Sequence, residues 1–282
     1  MNKEVSKQKE IPKILKFYSL SGLISIQRIS VGLANDNFLV KTKQGEYVLK
    51  FINAYRNEIF KNDLAIQRKL KELGIRSPVY IRNLSGDYIY RKGKYRVVVS
   101  KKVRGVRPRK VSIKLAYSIG RVLAQFHLGI TDLPNSIQGW MNVNSDDSKT
   151  AKILRKADLP IGITHGDMHE GNIHVLDKKK DKVYAIFDFE EAGEDLLVVD
   201  LARSILAVCV EEQGTKIDER LMESEIKGYQ SIRLLEENEK IHFGKAFTHA
   251  VDKCIKWFSE NDFERYIENH KLRLKSFRSP FE

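Results

Sequence analysis

The chain of 282 residues has few of the features that define a secreted or a membrane-spanning protein. Its only cysteines are Cys209 and Cys254, and two thiols in apolar surroundings make neither a disulfide framework nor a cysteine zinc site. The longest apolar run, from Leu196 to Val210, contains two charged residues and is too short to span a bilayer. The N-terminal residues are charged and lack the apolar stretch of a signal peptide. These absences predict a soluble, cytoplasmic protein without a membrane partner.

Charge is distributed unevenly along the chain. Residues 1–102 contain 22 Lys/Arg and 8 Asp/Glu, a net charge of +14, whereas residues 103–282 contain 28 and 29 and are close to neutral. The excess of positive charge in the first part suggests a polyanionic partner, either a polyphosphate or nucleic acid. The most basic run, residues 101–110, has no aromatic residues on which bases could stack. Nucleic acid is therefore the less favoured partner.

Apolar alternation predicts a β-rich first part of the chain. A short helix is expected over residues 11–21 and an amphipathic helix over residues 57–73, where Gly74 ends it. Five segments have the composition or the alternation of strands: 24–31, 36–42, 46–52, 88–90 and 95–100. Together these elements predict a five-stranded antiparallel sheet with one inserted helix.

The pattern becomes mainly helical after the basic run. Residues 112–127 carry apolar side chains on one helical face, and the chain after Leu196 is expected to be helical. Residues 161–189 are expected to form strands and loops. This change of pattern coincides with the change of charge, so we predict two domains, residues 1–103 and residues 104–282.

The densest cluster of polar residues is the segment 165–172, HGDMHEGN. A later strand ends at Asp188, and a hairpin centred near residue 180 would place Asn172 opposite Asp188, about 5 Å apart. An amide oxygen and a carboxylate at that distance suit Mg²⁺. Asp167 can then lie beside the metal and accept the proton of a hydroxyl group, which is the arrangement that phosphoryl transfer needs.

The histidines of the same segment allow a second interpretation. His165, Asp167 and His169 alternate, so on a strand they would share one face and could bind zinc in a hydrolase. Gly166 and Gly171 favour a loop over a strand, which would break that face. The zinc hydrolase is therefore kept as a less favoured alternative.

The loop between the first two predicted strands is a candidate for binding phosphate groups. A turn at residues 31–38, VGLANDNF, can present backbone N–H groups to phosphate oxygens. Gly32, Asn35 and Asn37 are the candidate contacts. The loop has one glycine rather than the G-x-G-x-x-G pattern, so taken alone it is more typical of an ordinary β-turn.

Lys50 is the second candidate for binding the nucleotide phosphates. It ends a largely apolar strand, YVLKF, and can either remain solvated at a sheet edge or reach the α- and β-phosphates. An acidic residue on the following helix normally holds such a lysine. Glu58 and Asp63 are the candidates, and Asp63 is favoured.

Taken in order along the chain, these motifs resemble the aminoglycoside phosphotransferase and choline kinase superfamily, the small-molecule relatives of protein kinases. The resemblance rests on Lys50 followed by a helix, on H-G-D-x4-N at residues 165–172, and on D-F-E at residues 188–190. It extends to LAQFH at residues 123–127 and VDLA at residues 199–202. The motifs therefore span nearly the whole chain.

The resemblance implies a two-lobed, protein-kinase-like fold of the α+β class, with an antiparallel-sheet N-lobe that binds the nucleotide and a mainly helical C-lobe that binds the acceptor. It implies ATP and Mg²⁺ as cofactors and transfer of the γ-phosphate to a hydroxyl group of a small molecule. Asp167 would be the catalytic base, Asn172 and Asp188 the Mg²⁺ ligands, and Lys50 the phosphate contact. Asp200 would be structural and would brace the catalytic loop.

Acidic residues beyond the metal motif indicate the class of acceptor. Glu190, Glu191 and Asp195 would together favour an amine-bearing acceptor such as homoserine, choline or an aminoglycoside, although each alone is more typical of a solvated loop. The segment 228–239 resembles the homoserine kinase branch most. A nucleic-acid-binding or regulatory pseudokinase is the remaining alternative, and the intact catalytic positions count against it.

Overall fold

A computed structural model describes residues 3–29, 35–52 and 57–281. The predicted phosphate contact Gly32 lies outside these residues. Within them, none of the helices is long and apolar enough to cross a membrane.

Contacts group the chain into two compact units. The first comprises Met1–Phe60 and Ser77–Arg104, and the second comprises Lys61–Arg76 and Gly105–Glu282. The limit at Arg104 lies beside the predicted domain limit, whereas residues 61–76 group with the second unit rather than the first. The assignment of a function to each unit remains a proposal.

The described residues of the first unit contain a five-stranded antiparallel sheet with the strand order β1-β2-β3-β5-β4. The strands are β1 (Leu23–Ile29), β2 (Asp36–Thr42), β3 (Gly45–Phe51), β4 (Ile89–Lys92) and β5 (Tyr95–Lys101). The predicted sheet is therefore confirmed, including its antiparallel pairing.

Helix α1 (Lys3–Phe17) precedes the sheet and is longer than predicted at its N-terminal end. The apolar residues that predicted a helix over residues 11–21, such as Ile11 and Ile14, are buried in the core of this unit. The helix ends at Phe17 because Ser19 takes a left-handed φ of 57°. The prediction missed the first turns of the helix because they are mostly polar and give no apolar periodicity.

Alternation along β2 and β3 separates the two faces of this sheet. Phe38 on β2 and Leu49 on β3 are buried in the core with α1. Lys50 therefore lies on the opposite face, since successive side chains of a strand point to opposite sides. In the register of β2 and β3, Lys50 is paired with Asn37. Two of the predicted nucleotide contacts are thus neighbours on one face.

Most of the second unit is helical. Its helices are α2 (Asn57–Glu72, which begins in the first unit), α3 (Ile113–Gly129), α4 (Lys149–Arg155), α5 (Leu197–Val208), α6 (Glu219–Gln230), α7 (Glu237–Ile241), α8 (Phe243–Glu260) and α9 (Glu264–Ser276). The predicted helices over 57–73 and 112–127 are confirmed to within two residues. The hydroxyl of Ser112 caps α3 by accepting the N–H of Leu115 at 3.1 Å.

Two short antiparallel strand pairs complete the second unit. Strand β6 (Ile161–Thr164) pairs with β9 (Gly193–Leu196), and β7 (Ile173–Leu176) pairs with β8 (Lys179–Ile186). The segment with the polar cluster runs from the end of β6 to the start of β7. Both ends of the cluster are therefore held by regular structure. Helix α5 starts directly after β9.

Helices α3 and α6 approach each other unusually closely. A Cβ atom at Gly120 would lie 1.9 Å from the backbone oxygen of Glu225, and one at Gly228 would lie 2.0 Å from the backbone oxygen of Tyr117. Only glycine leaves room for this contact at both positions. The approach brings Tyr229 on α6 within hydrogen-bond distance of α3, which matters for the site described below.

Glu225 of α6 is a fully buried acidic residue. Its carboxyl group accepts hydrogen bonds from the Ser204 hydroxyl and, at 3.0 Å, from the Cys209 thiol, both on or next to α5. Burial raises the pKa of Glu225 to about 7, although these two hydrogen bonds act in the opposite direction. In the folded protein this group therefore gains its charge only near neutral pH.

The raised pKa of Glu225 makes stability depend on pH. Above pH 4.5 the unfolded chain releases the Glu225 proton, whereas the folded protein keeps it. The contribution of this group to the free energy of unfolding is therefore present at low pH and is lost as pH rises through about 7. Between about pH 5 and about pH 8, we expect the free energy of unfolding of the parent to fall by on the order of 1–3 kcal/mol relative to that of Glu225→Gln. Urea denaturation at both pH values measures the difference. The exposed Glu223→Gln is the matched control, and a parallel change in parent and Glu225→Gln would contradict the assignment.

Candidate active site

The segment 165–172 forms a loop whose start is held by the carboxylate of Asp200. Asp200 is buried in the first turn of α5, and its two oxygens accept the backbone N–H groups of His165 at 2.8 Å and of Gly166 at 2.9 Å. Gly166 has a φ of 79°, and a Cβ atom there would lie 2.4 Å from the backbone oxygen of Glu191. The loop therefore needs both the carboxylate and the glycine to leave β6 in this direction.

Asp200 is in turn held by a chain of buried polar groups. His127 of α3 lies between Asp200 and Tyr229. Its Nε2 is 2.9 Å from an Asp200 carboxylate oxygen, and its Nδ1 is 2.7 Å from the Tyr229 hydroxyl. Arg233 contacts the Tyr229 hydroxyl at 3.3 Å and donates two hydrogen bonds of 3.0 Å to Glu239. The loop is thus connected to α3, α6 and α7. This is the bracing that the family resemblance implies for Asp200.

Asp167 lies at the centre of the loop and is contacted by three donors. Arg203 Nη2 donates to Oδ1 at 2.6 Å, Asn172 Nδ2 donates to Oδ2 at 3.1 Å, and His169 Nε2 lies 3.4 Å from Oδ2. The side chain of Asp167 is still 30% exposed. Burial raises its pKa, but the hydrogen bond from His169 and the charge of Arg203 outweigh burial and hold the pKa at about 2. Asp167 is therefore an accessible carboxylate, ionised at neutral pH.

The register of β7 and β8 differs from the predicted one. The turn consists of residues 177–178 rather than a loop centred at 180, and the register shifts twice inside the hairpin. The N–H of Phe187 donates to the backbone oxygen of Asn172 at 2.9 Å. Asn172 therefore lies opposite Phe187, and Asp188 follows one residue later. The predicted direct opposition of Asn172 and Asp188 is wrong, because two irregularities displace the strands.

His165 connects the loop to the segment that carries Asp188. Its Nδ1 accepts the N–H of Asp167 at 3.3 Å, and its Nε2 donates to the backbone oxygen of Phe187 at 3.1 Å. Burial lowers the pKa of His165, which keeps the ring neutral for these two bonds. Asp188 itself is exposed and has a left-handed φ of 62°. The oxygens of Asn172 and Asp188 are thus offered from neighbouring backbone positions, a donor set that fits Mg²⁺.

The geometry gives no support to the alternative zinc site. The segment is a loop that ends in a 3-10 turn at Glu170–Asn172, so its side chains do not alternate between two faces. Both ring nitrogens of His165 are engaged, and His169 Nδ1 accepts the N–H of Gly171 at 3.0 Å. Among the residues described, no three His, Cys, Asp or Glu side chains come together so that they could hold a metal ion.

The predicted acceptor residues differ in their surroundings. Glu190 is partly exposed and Glu191 is exposed, directly after the Asp188 segment. Asp195 is 2% exposed, and its carboxyl group accepts the N–H groups of Asn142 at 2.6 Å and of Val143 at 3.4 Å. Burial raises the pKa of Asp195 to about 6. These contacts give Asp195 a structural use, so we do not retain it as an acceptor contact.

The predicted nucleotide residues are distributed over both units. Lys50 and Asn37 are paired across β2 and β3, and Asn35 directly precedes β2. Asp63 belongs to α2 in the second unit, is buried, and accepts a hydrogen bond of 2.8 Å from Gln67. The pairing of Lys50 with Asp63 stays a prediction.

One neighbour of the site, Arg203, is absent from the sequence-based predictions. Arg203 contacts Asp167 directly, and its guanidinium carbon lies 5.9 Å from the centre of the Trp140 ring. Arg203 follows Asp200 by one helical turn, a spacing that places two side chains on the same face of a helix. Once Asp200 is assigned to the loop, this spacing is the signal that could have identified Arg203.

Comparisons with known proteins agree with this geometry. The family model described as APH, the phosphotransferase enzyme family, matches residues 25–142 and 145–235. Homoserine kinase of Granulibacter bethesdensis is 25% identical over 282 aligned positions, which cover 86% of this chain and 84% of that protein. Homoserine kinase of Methylobacillus glycogenes is 28% identical over 250 positions, covering 80% and 76%.

Solved structures show the same fold. Amicoumacin kinase hAmiN, in complex with AMP-PNP, Ca²⁺ and Ami, has a TM-score of 0.73 at 15% identity and covers 100% of this chain and 98% of its own. The microcompartment-associated aminopropanol kinase has a TM-score of 0.66 at 16% identity, with 95% and 99% covered. The predicted α+β, protein-kinase-like fold is confirmed. The chain belongs to the APH phosphotransferase enzyme family, and it is a small-molecule kinase.

Proposed function

We propose that this kinase transfers the γ-phosphate of ATP to a hydroxyl group of a small, amine-bearing alcohol, with Mg²⁺ as the metal cofactor. The observation that carries the proposal is the surroundings of Asp167. Its carboxylate is ionised, partly exposed and oriented by Arg203 and Asn172. A carboxylate held in this way can receive the hydrogen bond of an acceptor hydroxyl and orient that hydroxyl for attack.

The low pKa of Asp167 indicates when the proton moves. A carboxylate with a pKa of about 2 is a weak base and does not ionise a free alcohol before the reaction. In a largely dissociative transfer, bond formation to the acceptor lags behind bond breaking, so the hydroxyl becomes acidic only late. Asp167 then accepts the proton as the new P–O bond forms, and ADP leaves with the electrons of the broken bond. Orientation of the acceptor is therefore the main contribution of Asp167.

Asn172 and Asp188 are the residues that would hold Mg²⁺. The Nδ2 group of Asn172 donates to Asp167, so its amide oxygen is the donor left for a metal. Asp188 adds an exposed carboxylate from the neighbouring segment. When bound, Mg²⁺ neutralises charge on the phosphate oxygens. Asn172 therefore links the base to the metal site.

The nucleotide phosphates are assigned to the first unit. Lys50 and Asn37 share one face of the sheet, and Asn35 directly precedes β2. Gly32 lies outside the described residues and is kept as a proposed phosphate contact on the sequence alone. Support for a nucleotide comes from the structural neighbours, one with AMP-PNP and one, a spectinomycin phosphotransferase, with ADP. Asp63 is retained as the proposed partner of Lys50.

The acceptor class rests on the relatives and on the exposed acids. The curated relatives named above are homoserine kinases, and one structural neighbour is an aminopropanol kinase. Glu190, which is partly exposed, and Glu191, which is exposed, follow Asp188 and suit an ammonium group. Purified protein should therefore form ADP in the presence of Mg²⁺ and homoserine, choline, 3-amino-1-propanol or an aminoglycoside. Absence of acceptor-dependent ADP formation with all four classes would contradict the proposal.

The role of Asp167 is tested by Asp167→Asn, which keeps the shape and removes the charge. We expect turnover with the best acceptor to fall roughly 10²–10⁴-fold, because the amide cannot accept the proton. Nucleotide affinity should remain nearly unchanged. Glu170→Gln is the matched control, since Glu170 lies in the same loop and is 49% exposed. Full activity of a folded Asp167→Asn would show that the base is another group.

The metal site is tested by Asp188→Ala. We expect this variant to lose turnover and to bind ATP with the same affinity with and without Mg²⁺, because one of the two proposed metal ligands is gone. The measurement is the shift in melting temperature on adding ATP, with and without Mg²⁺, since a ligand stabilises the state that it binds. Asp181→Ala, an exposed acid at the far end of β8, is the control. An unchanged Mg²⁺ effect in Asp188→Ala would remove Asp188 from the metal site.

A further inference from the structure

Arg203 is a largely buried cation beside the proposed base. Its side chain is 13% exposed, and Nη2 donates to Asp167 Oδ1 at 2.6 Å. Its Nε atom is buried and has no hydrogen-bond partner among the residues that the structure describes. A guanidinium group carries five N–H donors, and buried donors are normally satisfied. The guanidinium group therefore has hydrogen-bonding capacity that the described residues do not use.

The carboxylate of Asp167 does not satisfy this arginine. Asp167 is shared with Asn172 and His169, both of which approach its second oxygen, Oδ2. Arg203 therefore meets only one oxygen of Asp167 rather than both, and the fork of two parallel hydrogen bonds that arginine forms with carboxylates is not made. The capacity for such a fork remains available to a second anion.

The position of Arg203 makes the acceptor the natural second partner. An acceptor hydroxyl that reacts must lie within hydrogen-bond distance of the Asp167 carboxylate. Any substituent close to that hydroxyl is then near the guanidinium group, which touches the same carboxylate. The centre of the Trp140 ring lies 5.9 Å from the guanidinium carbon. The backbone N–H of Trp140 donates at 3.3 Å to the backbone oxygen of Glu191, so the segment that carries Glu190 and Glu191 adjoins Trp140.

We propose that Arg203 binds a carboxylate of the acceptor and makes the enzyme selective for hydroxy amino acids over amino alcohols that lack the acid group. The inference rests on the proposed function and adds a specificity-determining residue to it. The acceptor would then be held as a zwitterion, with its carboxylate on Arg203 and its ammonium group towards Glu190 and Glu191. The planar fork of arginine suits a carboxylate better than the point charge of lysine does.

A purely structural role of Arg203 has a different consequence. If Arg203 only orients Asp167, its loss slows transfer to every acceptor by the same factor. If Arg203 also binds the acceptor carboxylate, its replacement lowers kcat/KM more for acceptors that carry a carboxylate than for those that do not. The ratio of kcat/KM between two acceptors that differ only in the carboxylate separates these cases, because effects on the base cancel in the ratio.

Homoserine and 3-amino-1-propanol are the matched pair, since the second compound is the first without its carboxylate. We expect the parent to prefer homoserine, and Arg203→Gln to reduce this preference about 10- to 100-fold, the range for a hydrogen bond to a charged group. The loss with homoserine should include a rise in KM. Arg203→Lys should recover part of the preference. Arg121→Gln, an exposed arginine on α3, should leave the ratio unchanged.

The outcomes distinguish this inference from the proposed function. Equal losses with both acceptors in Arg203→Gln, with the ratio unchanged, would overturn the carboxylate contact. A parent that uses 3-amino-1-propanol as well as homoserine would overturn it without any variant, so the inference remains testable if Arg203→Gln does not fold. Turnover with neither compound, nor with any other acceptor, would overturn the proposed function and the inference together.

Discussion

The buried carboxylate of Asp200 is the interaction on which the arrangement of the site depends. Its two oxygens accept the first two N–H groups of the loop, at His165 and Gly166, and so set the direction in which the chain leaves β6. An unpaired carboxylate in this position would be costly, and His127 supplies the remaining hydrogen bond. The close approach of α3 and α6 holds His127 through Tyr229. The position of Asp167, the proposed base, thus depends on the packing of these helices.

The surroundings of three acidic residues in the second unit determine their pKa values. Burial raises the pKa in each case. Around Asp167, a hydrogen bond from His169 and the charge of Arg203 outweigh burial, so the pKa falls to about 2. Asp195 accepts hydrogen bonds from backbone N–H groups, and Glu225 accepts them from a hydroxyl and a thiol. These donors do not outweigh burial, so the pKa is about 6 for Asp195 and about 7 for Glu225. Charged donors therefore distinguish Asp167, the proposed base, from the other two acidic residues.

The same donors limit how basic Asp167 can be. A carboxylate held by Arg203 and Asn172 is well oriented but weakly basic, which suits a reaction in which the proton moves late. In the proposed mechanism Asn172 joins the base to the metal, and Arg203 joins the base to the acceptor. Orientation and charge are thus shared by a few side chains around one loop.

The sequence by itself determined the five-stranded sheet, helices α2 and α3, and the order of the motifs that carry Lys50, Asp167, Asn172 and Asp188. These features follow from alternation, helical periodicity and spacing, which are local properties of the chain. Only the tertiary structure decided the β7–β8 register, the burial of Asp195 and the contact of Arg203 with Asp167, 36 residues apart. Register irregularities and contacts between distant segments depend on how the elements pack. The spacing of Arg203 from Asp200 could identify Arg203 only after Asp200 had been assigned to the loop.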